Sequence, residues 1–407
     1  MNINQDLRQK LLSVLIVLMF LCFVFSKALI NILSVFFLVL FVVDKSENIK
    51  KKLSIAFHSK MVWLFTLLFI VQIIGLLYSQ NTEFALKRIQ TFIPIIYLPI
   101  VFKTEALNKT LLLKILKILK FLIPLIFLSL IVFHFTVLKR SINDFVHFTV
   151  NEFLGLSQFY LVFILLIPII ECIRLINLRE HVILNILLLC SNLFLVVLLS
   201  NKTAFSFLLV VSLIQIIISF RKNFKKGFVL MTCFISFIVV SMQFEAINSK
   251  VNIFLKTTDF DFETIVTKNR FTITKNTAEH RVLINYVAVQ EIWNTLPFGY
   301  GTGDYKEALV SGYKDLKFKA GIYYEYNAHN QYLAEFLKTG IMGGFIFILL
   351  MISFLIKMDV NNYYSYIILF FIFACFFESY LYRQHGIYII SFILPFLIFN
   401  TNKLVKR

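Results

Sequence analysis

The chain has 407 residues, of which 59% are hydrophobic and only 15% charged, and its mean hydropathy is +0.84. That balance excludes an ordinary soluble domain. The net charge of +18 would fit nucleic acid, but residues 245–330 hold ten basic and ten acidic residues, so the excess lies in short connectors between apolar runs. Anionic lipid is the partner such connectors meet, and no nucleic-acid partner is expected.

The apolar runs lack the alternation of barrel strands, and in lipid they can satisfy their backbone only as helices. Runs at 11–25 and 28–43 form a tight pair broken by Ser26 and Lys27, and DKSENIKKK follows as a basic loop. The run at 61–78 leads through Lys87 and Arg88 to 89–102, where Pro94 and Pro99 should kink the backbone. Lys114, Lys117 and Lys120 then form a basic stripe whose stems can snorkel at the inner end of 116–138.

Further runs follow at 153–176, 182–199, 204–220 and 227–244, with RKNFKK between the last two as the densest basic cluster. After a long hydrophilic segment come 331–356, 363–377 and 387–399, and the chain closes on NKLVKR. The expected fold is an all-α polytopic membrane protein of about twelve spans, with both termini on the basic, cytoplasmic side. We divide it into an N-terminal bundle (1–244), a large extracytoplasmic loop with amphipathic helices (245–330) and a C-terminal set of spans (331–407). The five cysteines all fall within apolar runs without metal-ligand spacing and are read as small core or lipid-facing residues. Neither a metal nor a cofactor is expected.

In this topology Lys202, Arg281, His329, Glu378 and Arg383 all fall on the outer side or at its membrane edge. Residues 276–293 read as an amphipathic helix, with Asn276 as cap and Glu279 completing a capping box. Val282, Tyr286, Val289 and Trp293 share one face, joined by Leu283 and Val287, which could meet the membrane surface or the bundle. Arg281 lies in the first turn off that face, where it reads equally as a solvated arginine. PFGYGTGDY supplies glycines at 299, 301 and 303, a backbone able to take positive φ and approach a ligand or simply turn. NAHNQY places His329 and Asn330 where polar loop becomes membrane helix; a histidine there can serve as a base or merely be hydrated. Glu378 and Arg383, in ESYLYRQHG, read alone as an ion pair.

HRVLINYVAVQEIWNTLPFGYGTGDY and AHNQYLAEFLKTGIMGG, preceded by SNKT, together resemble the O-antigen ligase and polymerase superfamily of bacterial envelope glycosyltransferases. The resemblance implies a GT-C-like helical fold in the bacterial inner membrane. It further implies transfer of a polyprenyl-diphosphate-linked glycan, on undecaprenyl diphosphate, to an acceptor hydroxyl at the periplasmic face, as in lipopolysaccharide assembly. Carried over, Arg281 engages the diphosphate and His329 acts as base on the acceptor. Lys202, Arg383, Glu378, Asn330 and Gly301 are the substrate-binding candidates. Lys202 stands where the family often has arginine, which keeps the charge and loses the bidentate fork. A polyprenyl diphosphate is already activated, so the reaction needs no nucleotide, and no acidic cluster invites a metal. A ligase and a repeat-unit polymerase share this donor half. A transporter or flippase is the alternative of another class, disfavoured because the spans show no paired broken helices or charged midplane positions. Residues 310–326 are expected to shape the acceptor side.

Overall fold

The computed structural model describes residues 5–44, 46–105, 107–359 and 361–404, all in helices and connectors without strand. Lys45 of the first basic loop and residues 405–407 of the closing one lie outside the described residues. Among the described residues, eight helices are long and apolar enough to cross a membrane, or ten if two bent pairs each count as one span; Val182–Leu198 and Ser365–Ala374 are shorter apolar helices. Each apolar run named above corresponds to one of these elements. The protein is therefore an integral membrane protein with an all-helical fold.

Local chemistry explains several boundaries. Ser26 ends the first helix and caps the next, its side chain accepting from the Leu29 N–H at 3.2 Å. Pro94 opens the Pro94–Thr104 helix directly after Thr82–Phe92, because its missing N–H costs nothing in a first turn. The basic stripe is only partly a snorkelling one. Lys114 and Lys117 are exposed, but Lys120 is buried and donates to Asn185 Oδ1 at 2.8 Å. A partner on a neighbouring helix is what allows an ammonium to stay buried.

The chain separates into two compact units, residues 1–115 with 257–407, and residues 116–256. In the second, Gln158–Asn177 packs on Val182–Leu198, and Lys202–Lys222 on Phe224–Met242. In the first, Gln331–Lys357 packs along Lys60–Leu77, and Thr277–Thr295 rests against Gln331–Lys357. The hydrophilic helices Phe262–Phe271, Thr277–Thr295, Tyr305–Asp315 and Lys319–Tyr324 share a core of Leu283, Ile284, Val287, Leu309, Tyr313 and Phe318. Ala334 and Leu337, from the first turns of Gln331–Lys357, join this core. The layer is thereby fastened to a membrane helix.

That helix is broken. Thr339 and Gly340 leave helical geometry, with Gly340 at φ 61 and ψ −149, a region open essentially to glycine alone. The break frees the carbonyls of Leu337 and Lys338, and the glycine loop satisfies both. Tyr300 N–H donates to Leu337 O and Gly301 N–H to Lys338 O, each at 2.8 Å, while Ile341 N–H returns to Pro297 O at 3.0 Å. A Cβ on Gly340 would collide with the Pro297 carbonyl. We expect Gly340→Ala to combine backbone strain with a lost docking surface and to destabilise the protein by about 3 kcal/mol or more. Thermal unfolding of the detergent-purified protein measures it; an unchanged transition would mean that the loop and kink are not coupled.

Candidate functional site

Arg281 owes its position to a well-made helix start. Asn276 Oδ1 accepts from the N–H groups of Ala278 and Glu279 at 3.0 and 3.3 Å, satisfying two of the orphan donors of Thr277–Thr295. Glu279 does not complete the capping box. Fully buried, it accepts from Lys268 Nζ at 2.8 Å and from the Asp259 N–H at 2.9 Å, tying the preceding segment to this helix. A buried carboxylate takes the cation because the alternative is an uncompensated charge. The buried face is also not the row Val282, Tyr286, Val289 and Trp293, which points outward; Leu283, Ile284, Val287 and Ala288 pack inward. Arg281 lies half-buried at the edge between the two faces, and its guanidinium Nη1 donates to the Phe377 carbonyl.

His329 sits in the turn before Gln331–Lys357. Its backbone is left-handed at φ 42, a conformation uncommon outside glycine, and its N–H is held by Asn327 Oδ1 at 2.9 Å. Asn330 then caps the helix, accepting from Tyr332 and Leu333 N–H at 3.0 and 3.2 Å. The cap and turn project the imidazole away from the helix. Its Nδ1 meets Glu378 Oε2 at 3.1 Å, and its ring lies edge-on to Tyr326 at 5.6 Å.

Glu378 lies in the connector between Ser365–Ala374 and Gln384–Tyr388, and that connector is held from several sides. Gln331 N–H donates to Cys375 O at 2.7 Å, and Gln331 Oε1 accepts from the Leu381 N–H at 2.7 Å. Arg88, itself buried, donates to the carbonyls of Leu381, at 2.5 Å, and Tyr382. Below them Glu335 accepts from Gln331 at 2.6 Å, Gln72 at 2.9 Å and Lys338, a network of buried polar groups. The backbone of an otherwise irregular loop is thus held at Cys375, Leu381 and Tyr382.

The three residues therefore converge within one unit, with the Glu378 carboxylate paired to the His329 imidazole and in the field of the Arg281 charge. Burial raises the Glu378 pKa, but His329 and Arg281 outweigh it and hold the carboxyl below its ordinary value, so Glu378 is ionised at neutral pH. Burial pulls the Arg281 pKa down while Glu378 and Tyr380 hold it up, and an arginine stays cationic throughout. His280, buried against Phe318 and Tyr326, is pushed below its usual value by desolvation and forms a neutral wall next to the site. The arrangement offers a carboxylate-oriented imidazole for proton removal and a cation beside it for an anionic group.

The other candidates are placed as follows. Arg383 is exposed at the start of Gln384–Tyr388, and Glu378 pairs instead with His329, because the loop backbone turns between them. Asn330 uses its side-chain oxygen as the helix cap. Gly301, at φ 94, is packed in: a Cβ there would collide with Ser79 Oγ, and its N–H is spent on Lys338 O. Lys202 belongs to the second unit, exposed in the first turn of Lys202–Lys222, with Lys250 as the neighbouring cation. Tyr326, His280 and Arg88 were not among the expected site residues. A YYEYN run signals Tyr326 only weakly, and Arg88 reads as one more connector cation.

A family model described as O-antigen ligase matches residues 185–348, which include Lys202, Arg281 and His329. No curated protein matches the chain.

Proposed function

We propose, from the match of residues 185–348 to the O-antigen ligase family model, that the Arg281–Glu378–His329 cluster transfers a glycan from a polyprenyl diphosphate to an acceptor hydroxyl. The observation that carries this reading is the convergence itself: residues 48 and 49 positions apart meet as base, orienting carboxylate and cation. In the step, His329 takes the proton of the acceptor hydroxyl as its oxygen bonds to the anomeric carbon. The bond from that carbon to the diphosphate oxygen breaks, and the electron pair leaves with the diphosphate. Arg281 faces the charge that develops there; only one of its five N–H donors is drawn to the Phe377 carbonyl. Glu378 holds the imidazole in place and favours the imidazolium formed by proton transfer.

The donor, on this reading, is an undecaprenyl-diphosphate-linked glycan, and the acceptor a lipopolysaccharide core or another envelope hydroxyl. The cluster would lie at the periplasmic face of the inner membrane, with both termini cytoplasmic, and act without a metal. Arg383 would add a cation for the diphosphate, and Lys202 is carried as a substrate-binding candidate on the resemblance alone. A repeat-unit polymerase is the alternative within the superfamily, since it needs the same base and cation. A transporter was disfavoured for want of broken spans and buried charge, yet Gln331–Lys357 is broken at Thr339–Gly340 and carries Glu335 and Lys338. Those two charges pair with each other, and the break holds the glycine loop; both features are accounted for without a transported solute.

Deleting the gene and analysing envelope glycans tests the reading. Accumulated long lipid-linked chains are the expected result for a ligase and single repeat units for a polymerase, while unchanged glycans would sink both.

A further inference from the structure

We propose that the open cleft beside this cluster, of about 490 Å³, is the seat of the acceptor saccharide; this rests on the transferase reading above. The cleft lies between the start of Thr82–Phe92 and the Tyr305–Asp315 helix, and its volume is within the ~300–1,000 Å³ usual for small-ligand sites.

Its chemistry selects a polyhydroxylated ligand without net charge. Lys306 and Lys314 are matched by Glu307 and Glu325, so the lining neither attracts a polyphosphate strongly nor accepts an alkyl chain. Carboxylates and ammonium groups are the acceptors and donors that vicinal hydroxyls require, and the Asn81 amide, which caps Thr82–Phe92, holds Glu307 at 3.1 Å. Phe84 adds a ring on which the C–H face of a pyranose can rest. The Lys306–Glu325 pair, at 2.7 Å, is partly exposed on both sides and therefore cheap for sugar hydroxyls to replace.

Two links lead from the lining of the cleft to the cluster, and on them we take the occupant to be the acceptor and not the leaving group. Glu325 lines the cleft, and the next residue, Tyr326, packs edge-on to the His329 ring. Tyr324 stacks on Tyr326 at 5.5 Å and is 54% exposed, extending an aromatic face outward from the base. On another side Lys306 lies in the field of Tyr382, in the anchored loop that presents Glu378. A saccharide in the cleft would thus approach from the side of the proton-accepting imidazole.

The test uses full-length protein purified in detergent and saturation-transfer NMR with two probes. One is the oligosaccharide released by mild acid from the envelope glycolipids of the deletion strain; the other is released from its polyprenyl-linked pool. We expect at least one to bind wild type, and binding to weaken roughly tenfold or more in Phe84→Ala and in the surface substitution Glu307→Ala. The glycolipid probe alone would identify a glycolipid acceptor, and the polyprenyl-derived probe alone a repeat-unit acceptor. His329→Ala should bind like wild type, because it removes the base and leaves the cleft. The proposal is overturned if neither probe binds wild type, or if both cleft variants bind normally. A deletion strain with altered glycans but no cleft binding rejects the cleft alone; unchanged glycans reject the transferase reading whatever binds.

Discussion

His329→Ala is expected to reduce glycan transfer by about 10²–10⁴-fold, the usual contribution of a positioned general base, with protein levels unchanged. The imidazole is partly exposed and the backbone turn is held by Asn327 and the Asn330 cap, so truncating the side chain removes the chemistry and leaves the turn. Glu378→Gln should show a smaller loss in the same assay, because the amide still reaches His329 Nδ1 but no longer supports an imidazolium. The pH dependence follows from the direction of the Glu378 shift. With its pKa depressed below 4.5 by His329 and Arg281, against the opposing effect of burial, the Glu378 carboxylate is ionised above that value. Its stabilisation is lost only as pH falls through the lowered pKa. Transfer rates measured in isolated membranes check both variants, and full activity in His329→Ala would remove the base assignment.

Arg281→Ala is expected to cost about 10²–10³-fold in transfer, the typical loss when one preorganised donor to a developing charge is removed. The guanidinium also donates to the Phe377 carbonyl next to Glu378, so the alanine variant combines lost charge with a loosened connector. Arg281→Lys separates these effects. It keeps the charge, but a single ammonium replaces the planar fork that can serve the carbonyl and an anion together. We expect Arg281→Lys to recover only part of the rate, with donor affinity restored more than turnover. If Arg281→Ala transfers glycan at the wild-type rate, the cation is not part of the reaction. Membrane levels and thermal transitions of each variant guard against simple unfolding.

Much of the fold was legible because lipid leaves the backbone few options: the apolar runs became helices where hydropathy placed them. Short-range signals were equally readable, since they involve residues within one turn. Asn276 is the helix cap that its position indicates, and Gly301 takes positive φ. Whatever depended on partners distant in sequence was not. Glu279 leaves its own helix end for Lys268, Lys120 is buried because Asn185 meets it, and the row Val282–Tyr286–Val289–Trp293 faces out although its spacing is that of a core stripe.

The candidate site divides the same way. By itself, the sequence determined which residues could act as cation and base, since guanidinium and imidazole chemistry belongs to the side chain. That Arg281, His329 and Glu378 form one cluster was decided by tertiary structure alone. Glu378 could as well have paired with Arg383, five residues away. Its direction is set by buried hydrogen bonds that tie the loop backbone to Arg88 and Gln331, and these elements are brought together only by packing of the membrane helices. A charge pair over a few residues can be read from spacing, whereas one closed by a distant scaffold has no local signal.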